Sequence, residues 1–195
     1  MSDSILDLGA QTRIMAQLAE TVTDEQLSAP TPCPDYTVRN LLAHVLGLSV
    51  AFHAAARKDL GALTDTRPDA TVPDLGPDWR ERLPKVLDDL ADAWRDPAAW
   101  TGTTRAGSVD LPGEVAGLVL ADELVIHGWD LTRALDRPYA PDPAAIDAAH
   151  AFLRLAAEDP SRGGGIFGQI VPVPAEASLL DRAVGLSGRD PGWRP

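Results

Sequence analysis

Cysteine is nearly missing from this chain: its 195 residues include one, Cys33. A disulfide within the chain is therefore excluded, and so is a structural zinc site built from several thiolates. Basic residues are also scarce. Seventeen Lys and Arg stand against 29 Asp and Glu, a formal net charge of -12. Phosphate-rich partners need a surplus of the opposite sign, so neither nucleic acid nor an anionic membrane surface is expected as a partner. Long apolar runs are missing too. No stretch approaches the roughly 20 residues that span a bilayer. The best candidates, residues 41–56 and 115–126, are broken by His, Asp and Glu. The opening Met-Ser-Asp-Ser has neither the basic start nor the apolar run of a secretory signal, so the chain reads as cytoplasmic. There is no internal repeat, no Gly-x-Ser-x-Gly elbow and no phosphate-binding loop.

Apolar residues make up 45% of the chain, enough for a sizeable core, and the length favours one domain over residues 1–195. Apolar periodicity predicts a helix over 4–20 with Ser4 as cap, a short turn near Asp24–Leu27, and a helix from Thr37 to about Lys58. Between them, three prolines in Pro30–Pro34 impose an extended connection. A polar connection follows over 59–77. A third long helix is expected over 79–95, with Pro84 either kinking it or marking its true first turn. Residues 96–112 suggest a small hairpin. The fourth long helix runs from Pro112-Gly113 to about Leu135. It is apolar nearly all round, the mark of a central helix. A fifth covers 143–158, capped by Asp142 with Pro143 in its first turn. The tail is irregular apart from a short helix within 176–187. Gly163-Gly164-Gly165-Ile166-Phe167-Gly168 resembles a dinucleotide fingerprint only in spelling. A helix precedes it and prolines follow, so a loop is the better reading. The expected architecture is all-α: a bundle of four main helices with an additional helix and irregular tails.

The chemistry concentrates in Ala121-Asp122-Glu123-Leu124-Val125-Ile126-His127-Gly128-Trp129-Asp130-Leu131. On a helix, Glu123 and His127 stack on one face, with Asp130 close to it. His44 shares an inward face with Leu41, Leu48 and Ala51, whereas His53 points roughly away. A buried carboxylate needs a cation or hydrogen-bonded partners, and no Lys or Arg lies within a turn of Glu123. Two readings stand at this point. His44 and His127 are hydrogen-bonded core residues, or His44, Glu123 and His127 together hold a metal. Two His and one Glu form a recognised catalytic zinc set with an open fourth position. Asp130 is either a partner that orients His127 or a residue bonded elsewhere. Cys33, between two prolines, reads mainly as packing. His150 on the fifth helix cannot be set against the other three. The five tryptophans read as core or pocket wall.

Two segments carry a resemblance. Thr31-Pro32-Cys33-Pro34-Asp35-Tyr36-Thr37-Val38-Arg39-Asn40-Leu41-Leu42-Ala43-His44 and Glu123-Leu124-Val125-Ile126-His127-Gly128-Trp129-Asp130-Leu131 resemble the signatures of the DinB-like metal-binding bundles, in the branch of the mycothiol-dependent maleylpyruvate isomerase N-terminal domain. The Phe167–Pro174 loop and the closing Gly-Arg-Asp-Pro extend it. The resemblance implies a four-helix bundle with a divalent metal, zinc foremost and nickel as the alternative, on His44, Glu123 and His127. It implies thiol-dependent isomerase or transferase chemistry with a low-molecular-weight thiol such as mycothiol and a small-molecule substrate. A non-enzymatic metal-binding or interaction module, in which the ion is structural, is the competing expectation. The isomerase has a second domain without counterpart in these 195 residues, so maleylpyruvate itself is not assigned as substrate. Related bundles can pair through outer helix faces, which leaves a homodimer open.

Overall fold

The computed structural model describes residues 5–34, 36–67, 74–158 and 167–195. Four long helices form a ring. They are α1 (Gly9–Glu20), α2 (Val38–Ala56), α4 (Trp79–Trp94) and α5 (Gly113–Ala134). Both α1 and α2 pack against α4 and α5, so α1 and α2 face each other diagonally. Outside the ring, α6 (Pro143–Glu158) packs on α5, and α7 (Leu179–Leu186) packs on α6. A single helical turn, α3 (Ala62–Asp65), and a hairpin of β1 (Thr103–Ala106) and β2 (Val109–Pro112) close one end. The all-α bundle expected from the sequence is the architecture observed.

Local chemistry explains several of the boundaries. Thr37 caps α2 in a box: its hydroxyl accepts from the Asn40 amide, and the Asn40 side chain accepts from the Thr37 amide at 3.1 Å. Asp142 Oδ1 accepts from the amides of Ala144 and Ala145, starting α6 as expected. In α4, Leu83, Leu87, Leu90 and Trp94 recur every three or four residues and are fully buried. The hairpin turns through Gly107 and Ser108, both at positive φ (59° and 67°), the combination that lets a two-residue loop follow the strand twist.

Some expectations need correction. Helix α1 starts at Gly9, after Leu8, while Ser4 lies outside the described residues. Pro84 does not mark a first turn: α4 begins at Trp79, and the proline lies inside the helix, as the other reading had it. The polar 59–77 connection contains α3, whose turn is closed by the Thr64 hydroxyl accepting from the Gly61 amide at 3.0 Å. The glycine run at 163–166 lies outside the described residues. Helix α2 is also more apolar than the sequence reading allowed. It is long and apolar enough to cross a membrane, since its two histidines do not lower its mean hydropathy enough to disqualify it. Yet 61% of that window is buried within the bundle, as befits a core helix.

Helix α5 is the pivot. Leu120, Leu124 and Leu131 join the main core with Met15, Leu41, Leu83, Leu87 and Trp94. Val125, Ile126 and Trp129 point to a second cluster with Ile146, Ala149, Leu153 and Val184. At 100° per residue, Glu123, His127 and Asp130 fall on the flank between these two faces. Two apolar faces thus set the helix rotation, and the polar flank has no freedom to turn away from its neighbours. Close backbone approach tightens the same helix: a Cβ at Gly128 would sit 2.5 Å from the Tyr139 hydroxyl oxygen.

Candidate metal centre

Helix α5 presents Glu123 and His127, and α2 presents His44 across the bundle. One carboxylate oxygen, Glu123 Oε2, lies 2.9 Å from His127 Nε2 and 3.3 Å from His44 Nε2. The two imidazoles meet edge to face with ring centroids 4.8 Å apart, and the Tyr36 ring also meets His44 edge-on, at 5.7 Å. The structure therefore brings together the three residues singled out in the sequence. Their donor atoms all lie within 4.8 Å of one another.

Asp130 joins them through the other ring nitrogen. Its Oδ2 is 2.9 Å from His127 Nδ1, and its side chain is fully buried. This is the orienting arrangement in which a carboxylate holds one imidazole nitrogen so that the other faces the ligand position. Asp130 in turn is gripped by Arg189: Nε approaches both carboxylate oxygens, at 2.9 and 3.1 Å, and Nη2 donates to Oδ2 at 3.0 Å. Sequence reasoning gave Arg189 no role. The signal that could have found it was the need of a buried aspartate for a cation. The nearest along the helix, Arg133, would have been the wrong choice, because it stacks over Trp129 and bonds the Pro191 carbonyl.

Charge and burial oppose each other here. Burial works against ionised Glu123, but hydrogen bonds and charge from His127 and His44 outweigh it and hold the carboxyl well below its usual range. Burial likewise works against a charged His127, yet Asp130 and Glu123 together raise that imidazole to about 9. Burial pushes the Cys33 thiol up to about 11, against the pull of Arg189.

Two donor groups thus share His127, since Cys33, His127 and Asp130 also cluster within 4.8 Å. The first set fits a divalent ion better. Asp130 already commits both oxygens to Arg189 and one to His127, and a thiol with a raised pKa is a poor ligand. In the His44–Glu123–His127 set, two neutral-capable nitrogens and one ionised oxygen converge, which is a donor set suited to zinc with a position left over. Cys33 sits in the loop before α2 and is half-buried. His53 faces away from His44 and lines a surface recess with Asp89, Asp92 and Asp96. His150, on α6, is near Arg182, Arg154 and Asp147 rather than the centre.

A cavity of about 250 Å³ opens beside His44 and Glu123. Leu48, Ala51, Phe52 and Leu63 supply apolar wall, and Arg67 adds a positive charge. The hairpin reaches it through Gly107, held in place where the Ser108 amide donates to the Thr64 carbonyl at 2.9 Å.

Comparison with known proteins gives the chain relatives and a family. Two uncharacterized proteins of Mycobacterium tuberculosis, from strains CDC 1551 / Oshkosh and H37Rv, are each 26% identical over 175 residues, covering 89% of this chain and 91% of theirs. No solved structure matches the chain. The model of the mycothiol maleylpyruvate isomerase N-terminal domain matches residues 8–132, a span that contains His44, Glu123, His127 and Asp130 and stops short of Arg189. With a helical bundle around that same group of residues, the chain belongs to the family of the mycothiol maleylpyruvate isomerase N-terminal domain.

Proposed function

We propose that His44, Glu123 and His127 hold one divalent metal ion, zinc first and nickel as the alternative. In this reading the protein is a thiol-dependent isomerase or S-transferase that works with a low-molecular-weight thiol of the mycothiol kind and a small substrate. The observation that carries it is the convergence of two imidazole Nε2 atoms on one Glu123 oxygen at the edge of the cavity of about 250 Å³. An ion there would supply positive charge that lowers the pKa of a thiol or water admitted to the open position. The chain's own residues do the rest. Asp130 holds the Nδ1 proton of His127 and so keeps Nε2 directed at Glu123. Leu48, Ala51, Phe52 and Leu63 limit water in the cavity, which strengthens the electrostatic effects inside it. The acidic net charge of -12 supports a small-molecule role without nucleic acid or membrane partners.

A second reading is a non-enzymatic module in which the ion only staples α2 to α5. The direct His44–Glu123 contact favours it, because it already joins those two helices. Elemental analysis of untagged protein, followed by thermal shifts with a panel of low-molecular-weight thiols, separates the cases. The enzyme reading expects about one equivalent of metal and a thiol-induced rise in melting temperature that requires the metal. Metal without any thiol response leaves the structural reading. Failure to take up metal after reconstitution, with melting unchanged by zinc or nickel, would sink both.

A further inference from the structure

We infer that Arg189 is a positioning residue for the metal centre: it fixes the Asp130 carboxylate, which in turn fixes the ring of His127. The inference rests on the proposed ligand role of His127 and extends it to the C-terminal segment. Asp130 is completely buried, and its two oxygens have two kinds of partner among the described residues, the His127 ring and the Arg189 guanidinium. A carboxylate bonded only to the ring could rotate and carry the imidazole with it. The two-pronged grip of a planar guanidinium removes that freedom, because both carboxylate oxygens are held in one plane.

Arg189 is itself held. Its amide donates to the Val184 carbonyl at 3.1 Å, and Nη1 reaches the Ser187 carbonyl and hydroxyl at 3.4 Å. Gly188 just before it takes φ of 90° and passes so close to Gly168 that an added Cβ would lie 2.7 Å from the Gly168 Cα. The end of α7 and the 167–173 segment thereby set the guanidinium in place, with Val171 donating to the Gly185 carbonyl at 3.0 Å. The Pro191 carbonyl accepts from Arg133, which ties the same segment back to α5. The polar centre of the bundle is therefore completed by a residue 59 positions away from the aspartate it holds.

The test compares the full-length parent with Arg189→Gln and Arg189→Lys. Zinc affinity is read by competition with a chromogenic chelator, and the His127 Nδ1 proton by NMR of ¹⁵N-histidine-labelled protein. Positioning predicts that R189Q weakens zinc binding about 10- to 100-fold, the usual effect of losing a group that orients a ligand. It also predicts that the parent shows an exchange-protected Nδ1–H signal and that R189Q loses it, with or without zinc. R189K, which keeps the charge but not the fork, should fall in between. A folded R189Q with parent zinc affinity and a protected Nδ1 proton overturns the inference. So does an R189K whose melting temperature falls while affinity and proton signal stay at parent values, because that is a purely structural role. If the parent binds no zinc, the metal reading fails, and the proton signal still decides the role of Arg189.

Discussion

His44 and His127 stand edge to face, 4.8 Å between ring centroids, and both address the same oxygen of Glu123. Removing either imidazole should therefore remove metal. His44→Ala and His127→Ala are expected to leave less than about a tenth of the parent's bound zinc by elemental analysis. At zinc concentrations near 100 times the dissociation constant, the parent should gain about 2.7 kcal/mol from ligand linkage. For a chain of this size that corresponds to a rise of roughly 5–10 °C in melting temperature. Neither variant should show that rise.

The metal-free protein should have a bounded pH range of stability. The folded-state pKa of His127 is raised from 6.5 to about 9, with Asp130 and Glu123 overcoming the burial effect. A raised pKa contributes stability that is complete below about 6.5 and disappears as the pH climbs through 9. Glu123 behaves in the opposite sense. Its pKa is lowered from 4.5 by the two imidazoles against burial, so its contribution is present above that value and is lost as the solution becomes strongly acidic. Urea unfolding of chelator-treated protein should give its highest midpoints between these limits. His127→Gln should flatten the alkaline fall. An unchanged alkaline limb in that variant would contradict the assignment.

Filling the cavity should separate ligand binding from metal binding. Ala51 lines the space of about 250 Å³ but contributes no donor atom to the centre. Ala51→Phe is expected to keep stoichiometric metal while abolishing thermal shifts from any thiol that stabilises the parent. Parallel elemental analysis and melting curves would measure both.

The packing of α5 makes a prediction about Gly128. A methyl there would meet the Tyr139 ring at 2.5 Å from Oη and 2.9 Å from Cζ. Tyr139 cannot step aside cheaply, because its hydroxyl donates to the Val125 carbonyl and accepts from Gln11, both at 2.9 Å. Gly128→Ala should cost about 1–3 kcal/mol in denaturant unfolding, the range for overpacking a tight site. Combined with Tyr139→Leu, the two effects should fail to add, as expected for residues in contact.

Much of the candidate centre was legible because helical periodicity is local. Glu123, His127 and Asp130 share a flank of α5 wherever that helix packs, and the leucines beside His44 indicate that it faces inward on α2. Thr37 and Asp142 marked helix starts for an equally local reason, since a cap bonds amides two or three residues away. The short α3 was hidden because one turn has no apolar period to detect. Pro84 left two readings open, and the structure has it inside α4, a helix whose Trp79 and Leu83 are buried in the core.

The sequence by itself therefore indicated the long helices and their inward faces, which follow from spacing within single elements, and it named three candidate donor residues through those faces together with the family resemblance. The tertiary structure alone decided which cation neutralises Asp130. By chain distance Arg133 was nearest, but it turns to Trp129 and Pro191, and the docked C-terminal segment delivers Arg189 instead. The cavity beside His44 and Glu123 is likewise a product of packing, made where α2, α3 and the hairpin tip meet. Charge pairing and cavity shape depend on where distant segments come to rest, and burial of the two apolar faces of α5 is what brings them there.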